Sequence, residues 1–526
     1  MRDELHNMRS ADIWSLVQRF LPRPESAVKS NTTRLLVRNV FHLGIGQVAS
    51  TALGVALAAV LGRALGPTDF GILYAISAIC TFVYVGIDWG QGTYLVREMA
   101  RGRDDEAGII GSAILFRLAT TVAASAVAVA VAMALGYSRE IIELTLLAVI
   151  VGIPATIYAP FGFKFRGKDR MDIDAFANIG NKATTLAGTA LALHLGGGLL
   201  YVILMQGLGG IFALIVGVLF ALRLGFKVAV PSRKNFSELF RQGTPIAAFS
   251  LVVAWQPFVE TMMLSAFAGP AVVGWYGASR TILGIINSPA MITLTAFFPE
   301  LSRASLSLPD FRRMIDISAR VLFLAAAFTS SALYVFSDLI VATIYGSRHF
   351  EQAAAILRVN AIFVPLLFFS VLLASAMTAV GRNSMMVAIS IVRIAFCSIM
   401  GWVLLGFWQQ HYGNAAIILV IIAGVAEIPL VIACLFLLPK GAVGKTTILN
   451  LARAYFVSVC TVLPFWFLGP LKIWYLAPLF MLIFAVVALA TRLIGQADLV
   501  LALDMVRNGL SAFRGAKTPI TPASGA

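Results

Sequence analysis

The sequence predicts an all-α integral membrane protein of about 14 transmembrane helices: two pseudo-symmetric six-helix lobes around a central cavity, plus two extra C-terminal helices. Three observations carry this expectation. The 526 residues are 59% hydrophobic and only 12% charged, with a mean hydropathy of +0.89, far more apolar surface than a water-soluble core uses. The apolar residues come in runs of about 20 or more, without the alternation of a membrane β-strand. One motif is written twice, as RALGPTDFGILYA between the first and second runs and as LSAFAGPAVVGWYGASR between the seventh and eighth. At a single spacing Gly66 answers Gly269, Pro67 answers Pro270, Gly71 answers Gly274 and Ala75 answers Ala278. Glu98 and Arg101 answer Glu300 and Arg303 with one residue of slippage.

In order, the runs cover 39–62, 70–92, 108–136, 140–163, 172–196, 198–222, 245–268, 271–298, 318–345, 351–380, 383–407, 413–438, 447–468 and 473–494. The connections are a few residues long, and none houses a catalytic domain. The first run starts too late behind its charged head for a cleaved signal peptide. Ile13, Trp14, Val17, Phe20 and Leu21 fall at helical spacing, as do Leu499, Leu503, Val506, Leu510 and Phe513, which suggests short amphipathic helices on the bilayer surface; for the first stretch a frayed terminus is an equal alternative. The last dozen residues have a disordered composition.

A net charge of +15 raises the question of nucleic acid, and its distribution answers it. Lys and Arg crowd the segment before residue 39, the 97–103 and 164–170 loops, the 223–241 stretch and the tail. The opposite side holds Arg63, Arg139, Arg348 and Lys472. So lopsided a distribution over short loops is the positive-inside rule, placing both termini in the cytoplasm. Cys80, Cys397, Cys434 and Cys460 lie in apolar runs without paired spacing, and the five histidines make no ligand pattern, so no metal site or disulfide is expected. GAVGKTT at 441–447 resembles a phosphate-binding loop, but Pro439 stands where its first Gly belongs and a membrane helix precedes it, so it reads as a cytoplasmic turn. No Ser-His-Asp order, carboxylate pair on an aqueous loop or Cys-His cluster suggests an enzyme.

Six spans separate the two copies of the motif, so both enter the bilayer from the same side and the repeat is parallel. Expected units are a cytoplasmic segment 1–38, an N-lobe 39–222, a linker 223–244, a C-lobe 245–438, two further helices 439–495 and a cytoplasmic tail 496–526. Gly66-Pro67 and Gly269-Pro270 mark equivalent outer turns. RALGPTDFGILYA, GIDWGQGTYLVREMAR at 86–101, the 243–280 stretch, AVGRN at 379–383 and HYGNAA at 411–416 together resemble the polysaccharide flippases of the multidrug/oligosaccharidyl-lipid/polysaccharide exporter superfamily. The resemblance reaches to about residue 495. It implies alternating-access export, across the bacterial inner membrane, of oligosaccharide repeat units on undecaprenyl pyrophosphate, for O-antigen, capsule or exopolysaccharide. The implied partners are that lipid-linked substrate, membrane lipids and polysaccharide assembly proteins, with no cofactor. Glu260 stands where many relatives carry Asp before a basic residue, and Thr261 replaces the basic residue.

A flippase breaks no covalent bond; it must solvate a pyrophosphate and sugars where bare charge is costly. Ionisable residues deep in the runs are therefore its candidates. Arg280, on a helix that lines the cavity in the resembled family, ranks first as a pyrophosphate contact, then Lys182 beside Asn178 and Asn181, then Arg117. Snorkelling or pairing with a neighbouring helix competes with each, and for Arg117 it is the better reading. Asp88 and Glu260 are candidates for coupling or gating; for Asp88, pairing with Arg97 or Arg101 at the membrane face ranks slightly ahead. Arg393 and Glu427, at matching depths on successive runs, form a candidate structural ion pair. Glu98 with Arg101 and Glu300 with Arg303 are either latches between lobes or, preferably, solvated charges. The alternatives kept open are a cation-coupled multidrug exporter, a lipid II flippase, a membrane polysaccharide polymerase or ligase, and an assembly scaffold. The exporter reading calls for an acidic or aromatic site, and the enzyme reading for a substantial outer loop.

Overall fold

The computed structural model describes residues 26–346, 349–467 and 474–493. The amphipathic stretches expected at 13–21 and 499–513 lie outside them. Every regular element among the described residues is helical: α1 (Ser26–Asp88), α2 (Gln91–Ala100), α3 (Glu106–Ala134), α4 (Arg139–Val151), α5 (Ile153–Gly167), α6 (Met171–His194), α7 (Leu199–Arg223), α8 (Arg233–Phe267), α9 (Pro270–Ala304), α10 (Leu308–Tyr345), α11 (Glu351–Ala379), α12 (Asn383–Tyr412), α13 (Ala415–Val425), α14 (Glu427–Leu437), α15 (Lys445–Phe467) and, after a short 3₁₀ turn, α16 (Ala477–Ala490). In lipid a spanning segment must satisfy its own backbone, which leaves the helix as the solution for such runs. Large apolar side chains such as Val122, Phe436 and Trp466 point outward, more than half exposed, as a lipid-facing surface requires.

Ten helical stretches among the described residues are long and apolar enough to cross a membrane, fewer than the expected 14. One of the ten, Gly46–Asp88, holds two expected runs, because only Gly66 (φ 71°, ψ 179°) leaves helical geometry between them. The positive φ suits glycine, and Pro67 follows without an N–H to continue the first helix. Two other runs are each interrupted: α4 gives way to α5 at Gly152, and α13 to α14 at Ala426. Pro154 and Pro429 explain both breaks, since each withholds the N–H that would bond the carbonyl four residues back. The repeat is also imperfect. α9 runs through to Ala304, whereas its counterpart stops at Asp88, and Trp89 and Gly90 turn the chain at φ 46° and 74°.

α3 to α7 pack chiefly on one another and on α1, and α10 to α15 likewise pack among themselves, while α1 lies between the two groups and packs even more extensively on α9, α8 and α10 than on the first group. The repeated motif lies at that junction and its two copies touch each other reciprocally. A Cβ at Gly71 would overlap the Pro270 carbonyl oxygen, and one at Gly274 would overlap that of Pro67. Tyr74 and Tyr276 meet edge to face at 6.3 Å just beyond, with Gly277 against the Tyr74 ring. Arg63 donates from Nε to the Ile344 carbonyl at 3.0 Å, and Phe70, Tyr345 and Phe350 complete an aromatic plug. The two halves are thus closed against each other at the end the charge rule assigns to the outside.

At the opposite end the 223–244 segment is pinned to the first half. Arg103 grips Glu238 with two parallel bonds of 2.8 and 2.9 Å and reaches Asn235 at 3.0 Å. Asn235 in turn donates to Asp105 at 2.7 Å, and this bond, with the Gly108 N–H, holds the Asp105 carboxyl below the usual carboxylate range. Glu98 pairs with Arg97 and Arg101 on its own helix, and Glu300 with Arg303 on its own, so neither latches the halves.

Replacing Gly71 with Val should force this contact between the two copies of the motif apart. The expected result is faster labelling of a Tyr74→Cys probe by an impermeant thiol reagent, and a stability loss of about 1–3 kcal/mol in thermal unfolding from overpacking. Unchanged labelling would mean that this contact does not hold the outer end closed.

Candidate functional site

The seven charged residues singled out above fall into two cavities, one in each half. A cavity of about 550 Å³ among α1 and α3 to α7 is lined by Asp88, Arg117 and Lys182. Another of about 430 Å³, among α8, α9, α11, α12, α13 and α14, is lined by Glu260, Arg280, Arg393 and Glu427. The pyrophosphate candidates Arg280, Lys182 and Arg117 therefore do not converge on one point. They stand on facing halves of the molecule.

In the first cavity Arg117 is nearly buried and its guanidinium bonds the Asp88 carboxylate, while Nε donates to Gln91 at 3.0 Å and the Phe163 ring lies 5.4 Å away. Asp88 thus pairs with Arg117, and Arg97 and Arg101 turn to Glu98 instead. The helix break at Trp89 accounts for this, since it puts Arg97 and Arg101 on a separate element from Asp88. Lys182 is different. It is exposed, its Nζ donates to the Ser50 carbonyl at 3.2 Å, and no carboxylate among the described residues lies within ion-pair reach. It belongs to a stripe in which Asn178, Asn181, Lys182 and Thr185 recur at helical spacing, and the last three line the cavity. Formal charge here sums to one positive.

The second cavity holds a continuous chain of polar contacts. Glu260, 5% exposed in its side chain, accepts from the Tyr276 hydroxyl at 2.6 Å and from Gln256 Nε2 at 2.9 Å. Gln256 turns its Oε1 to Arg393, whose Nη1 donates to Glu427 at 2.7 Å. One amide has a carboxylate on one side and a guanidinium on the other, so its orientation follows from the donors and acceptors. Arg280 stays at the edge of this chain, with Nη2 3.8 Å from Glu260 and 37% of its side chain exposed to the cavity. Because Glu260 is already satisfied by Tyr276 and Gln256, it holds Arg280 loosely and leaves the guanidinium with spare donors. Asn287 Oδ1, also on the cavity wall, is buried and unpaired.

Sequence reasoning missed Gln256 and Tyr276. A signal was present: Gln256 precedes Glu260 by one helical turn, and Tyr276 precedes Arg280 by the same interval, so each charged residue has a polar neighbour on its own face.

Residues 36–305 match the family described as polysaccharide biosynthesis protein, and the chain belongs to that family. No curated protein matches it in sequence. Among solved structures it is similar to the lipid II flippase MurJ in an inward closed conformation, at TM-score 0.69 and 14% identity over 87% of this chain and 99% of that one. It is also similar to an inward-facing multidrug resistance MATE family transporter of the MOP superfamily (TM-score 0.60, 14% identity, 75% and 96% covered). A Vibrio cholerae MATE transporter follows (TM-score 0.55, 13% identity, 82% and 100% covered). The fold is that of MurJ and MATE transporters; at these identities the likeness extends to the fold alone.

Asp88→Asn should destabilise the protein, because it leaves the Arg117 guanidinium buried without its countercharge. About 2 kcal/mol is expected in thermal unfolding, less than the roughly 3–5 kcal/mol of a fully buried pair because Asp88 is partly exposed. Adding Arg117→Gln should recover part of the loss; a double variant as destabilised as the sum of the singles would mean the two do not act as a pair.

Proposed function

We propose that the protein is a flippase that carries undecaprenyl-pyrophosphate-linked oligosaccharide repeat units across the bacterial inner membrane by alternating access, for O-antigen, capsule or exopolysaccharide synthesis. The observation that carries this reading is the pair of cavities, one in each half, lined by charged and polar side chains, each with a cation not tightly held by a carboxylate: Lys182 in one, Arg280 in the other. A pyrophosphate needs such donors, and a sugar needs the amides and hydroxyls around them, while the prenyl chain stays in lipid. Membership of a polysaccharide biosynthesis family supports the cargo, and the transporter fold supports movement of a substrate over chemistry on it.

On this reading the lobes are residues 39–222 and 245–438, joined by the 223–244 linker on the cytoplasmic face, with both termini cytoplasmic. Arg280 and Lys182 bind the pyrophosphate from the two sides in turn, and Arg117, tied to Asp88, shapes its cavity. Glu260 acts as a gate: an anion on Arg280 weakens the Arg280–Glu260 attraction that spans α9 and α8. Arg393 and Glu427 keep the C-lobe charge chain neutral. MurJ moves lipid II, which makes lipid II the nearest rival cargo for this fold.

Vesicles containing the purified protein and a labelled undecaprenyl-pyrophosphate oligosaccharide test this directly. Transbilayer movement is expected for the native chain. Arg280→Ala and Lys182→Ala should each slow it by about tenfold or more, the order for loss of a charged contact, with Arg280→Lys in between. No movement by the native chain, with expulsion of a cationic dye under an ion gradient, would replace this reading with the multidrug exporter.

A further inference from the structure

α10 and α15 part at their N-terminal ends around a cavity of about 540 Å³, outside both cavities described above. Arg312, Arg313, Asp316 and Arg320 line it from α10, and Thr446 and Asn450 from α15. Here the GAVGKTT stretch turns at Gly441 (φ 88°), and Lys445 opens α15. The Thr446 hydroxyl donates to Asp316 at 3.0 Å and the Thr447 hydroxyl donates to its other oxygen. The acid between the arginines is thus occupied by hydroxyls. Among the described residues Arg312 and Arg313 have neither hydrogen bond nor ion pair.

Two features make the arrangement incomplete without an anion. The Arg312 guanidinium lies over Gly444, where a Cβ would come within 2.8 Å of Nε and 2.9 Å of Nη2, so a cation sits against the positive end of the α15 dipole. Lys445 adds a second charge to the same end. Isolated cations at a helix N-terminus are unfavourable, whereas a phosphate there meets both the charges and the first free N–H groups. The wall then becomes apolar along α10, where Pro309, Ile317 and Val321 line the cavity, the last two each 43% exposed. A soluble phosphate has no use for such a wall, but the glycerol and first methylenes of a phospholipid do. The charge rule puts this end of α10 and α15 at the cytoplasmic surface, where basic pockets between transmembrane helices take anionic headgroups.

We propose that this cavity binds the phosphodiester headgroup of an anionic phospholipid of the cytoplasmic leaflet, with Arg312 and Arg313 as its contacts. The site wedges between α10 and α15, so the lipid bridges these two helices. Nothing in this depends on the flippase reading, and the test measures lipid binding without transport.

The probe is phosphatidylglycerol, titrated against phosphatidylcholine onto the full chain and followed by native mass spectrometry. Preferential retention of phosphatidylglycerol is expected, and Arg312→Ala with Arg313→Ala should weaken it by about tenfold, the order for losing two basic side chains beside a headgroup. Arg313→Gln alone, at an exposed position, should weaken it by about threefold and serves if the double variant does not fold. The Lys pair Arg312→Lys with Arg313→Lys should keep the preference. Equal retention of the two lipids by the native chain, or of phosphatidylglycerol by native and variant chains, would overturn the proposal. Displacement of phosphatidylglycerol by millimolar inorganic phosphate would overturn the lipid assignment in favour of a free anion.

Discussion

Charge in a low-dielectric slab must be paired or kept wet, and the interior of this protein is arranged around that requirement. Arg117 with Asp88 and Arg393 with Glu427 meet it by pairing. Glu260 meets it by hydrogen bonding, with Tyr276 and Gln256 doing what a cation would otherwise do. Arg280 and Lys182 meet it by facing cavities, and this separates them from the rest. A paired charge is at rest, and a charge exposed to a cavity is available to something that enters it. The division between structural and candidate binding residues thus follows from how each charge is satisfied rather than from its type.

The repeated glycine motif belongs to a different constraint, the closeness of two backbones. Reciprocal contact of Gly71 with Pro270 and of Gly274 with Pro67 is what a two-fold relation between copies produces when its axis passes through the contact. Each glycine is required because the partner's carbonyl occupies the space of its Cβ. The same motif that builds two equivalent turns therefore also presses them together, and duplication of the sequence supplies both faces of the seal. Tyr74 and Tyr276 sit immediately below it, and Tyr276 carries the hydrogen bond to Glu260, so the seal and the C-lobe charge chain share a residue.

Much of the architecture was readable in the sequence because lipid imposes a simple code. Long apolar runs, charge asymmetry between loops and a parallel repeat led to a helical bundle of two like halves, and residues 36–305 match a polysaccharide biosynthesis family as the motifs suggested. The helix breaks were less legible. Pro154 and Pro429 are visible in the runs, but whether a proline kinks or splits a span depends on its neighbours, as the Tyr84 hydroxyl lodged against Gly152 shows. Depth along a run was enough to find the charged residues, while the side each one faces was not. Asp88 looked to Arg97 and Arg101 in sequence and to Arg117 in space, because the turn at Trp89 and Gly90 lies between. The polar face of α6 was the exception, since Asn178, Asn181, Lys182 and Thr185 fall in helical register and their direction could be read from spacing alone.

The separation of the two cavities bears on the kind of cargo. A small organic cation calls for an acidic or aromatic pocket. Here the formal charge is one positive in the first cavity and zero in the second, with the spare donors of Lys182 and Arg280 on opposite halves. Under the proposed function, a cargo that engages both would have to be anionic and long enough to reach from one half to the other, or pass from one cation to the other. On the proposed reading a pyrophosphate bearing several sugars would meet either condition, with the amides of Asn181 and Gln206 on the wall of the first cavity open to its hydroxyls. Two half-sites that are each incomplete also suit a carrier better than a receptor, because cargo held equally well by one wall alone would gain nothing when the halves rearrange.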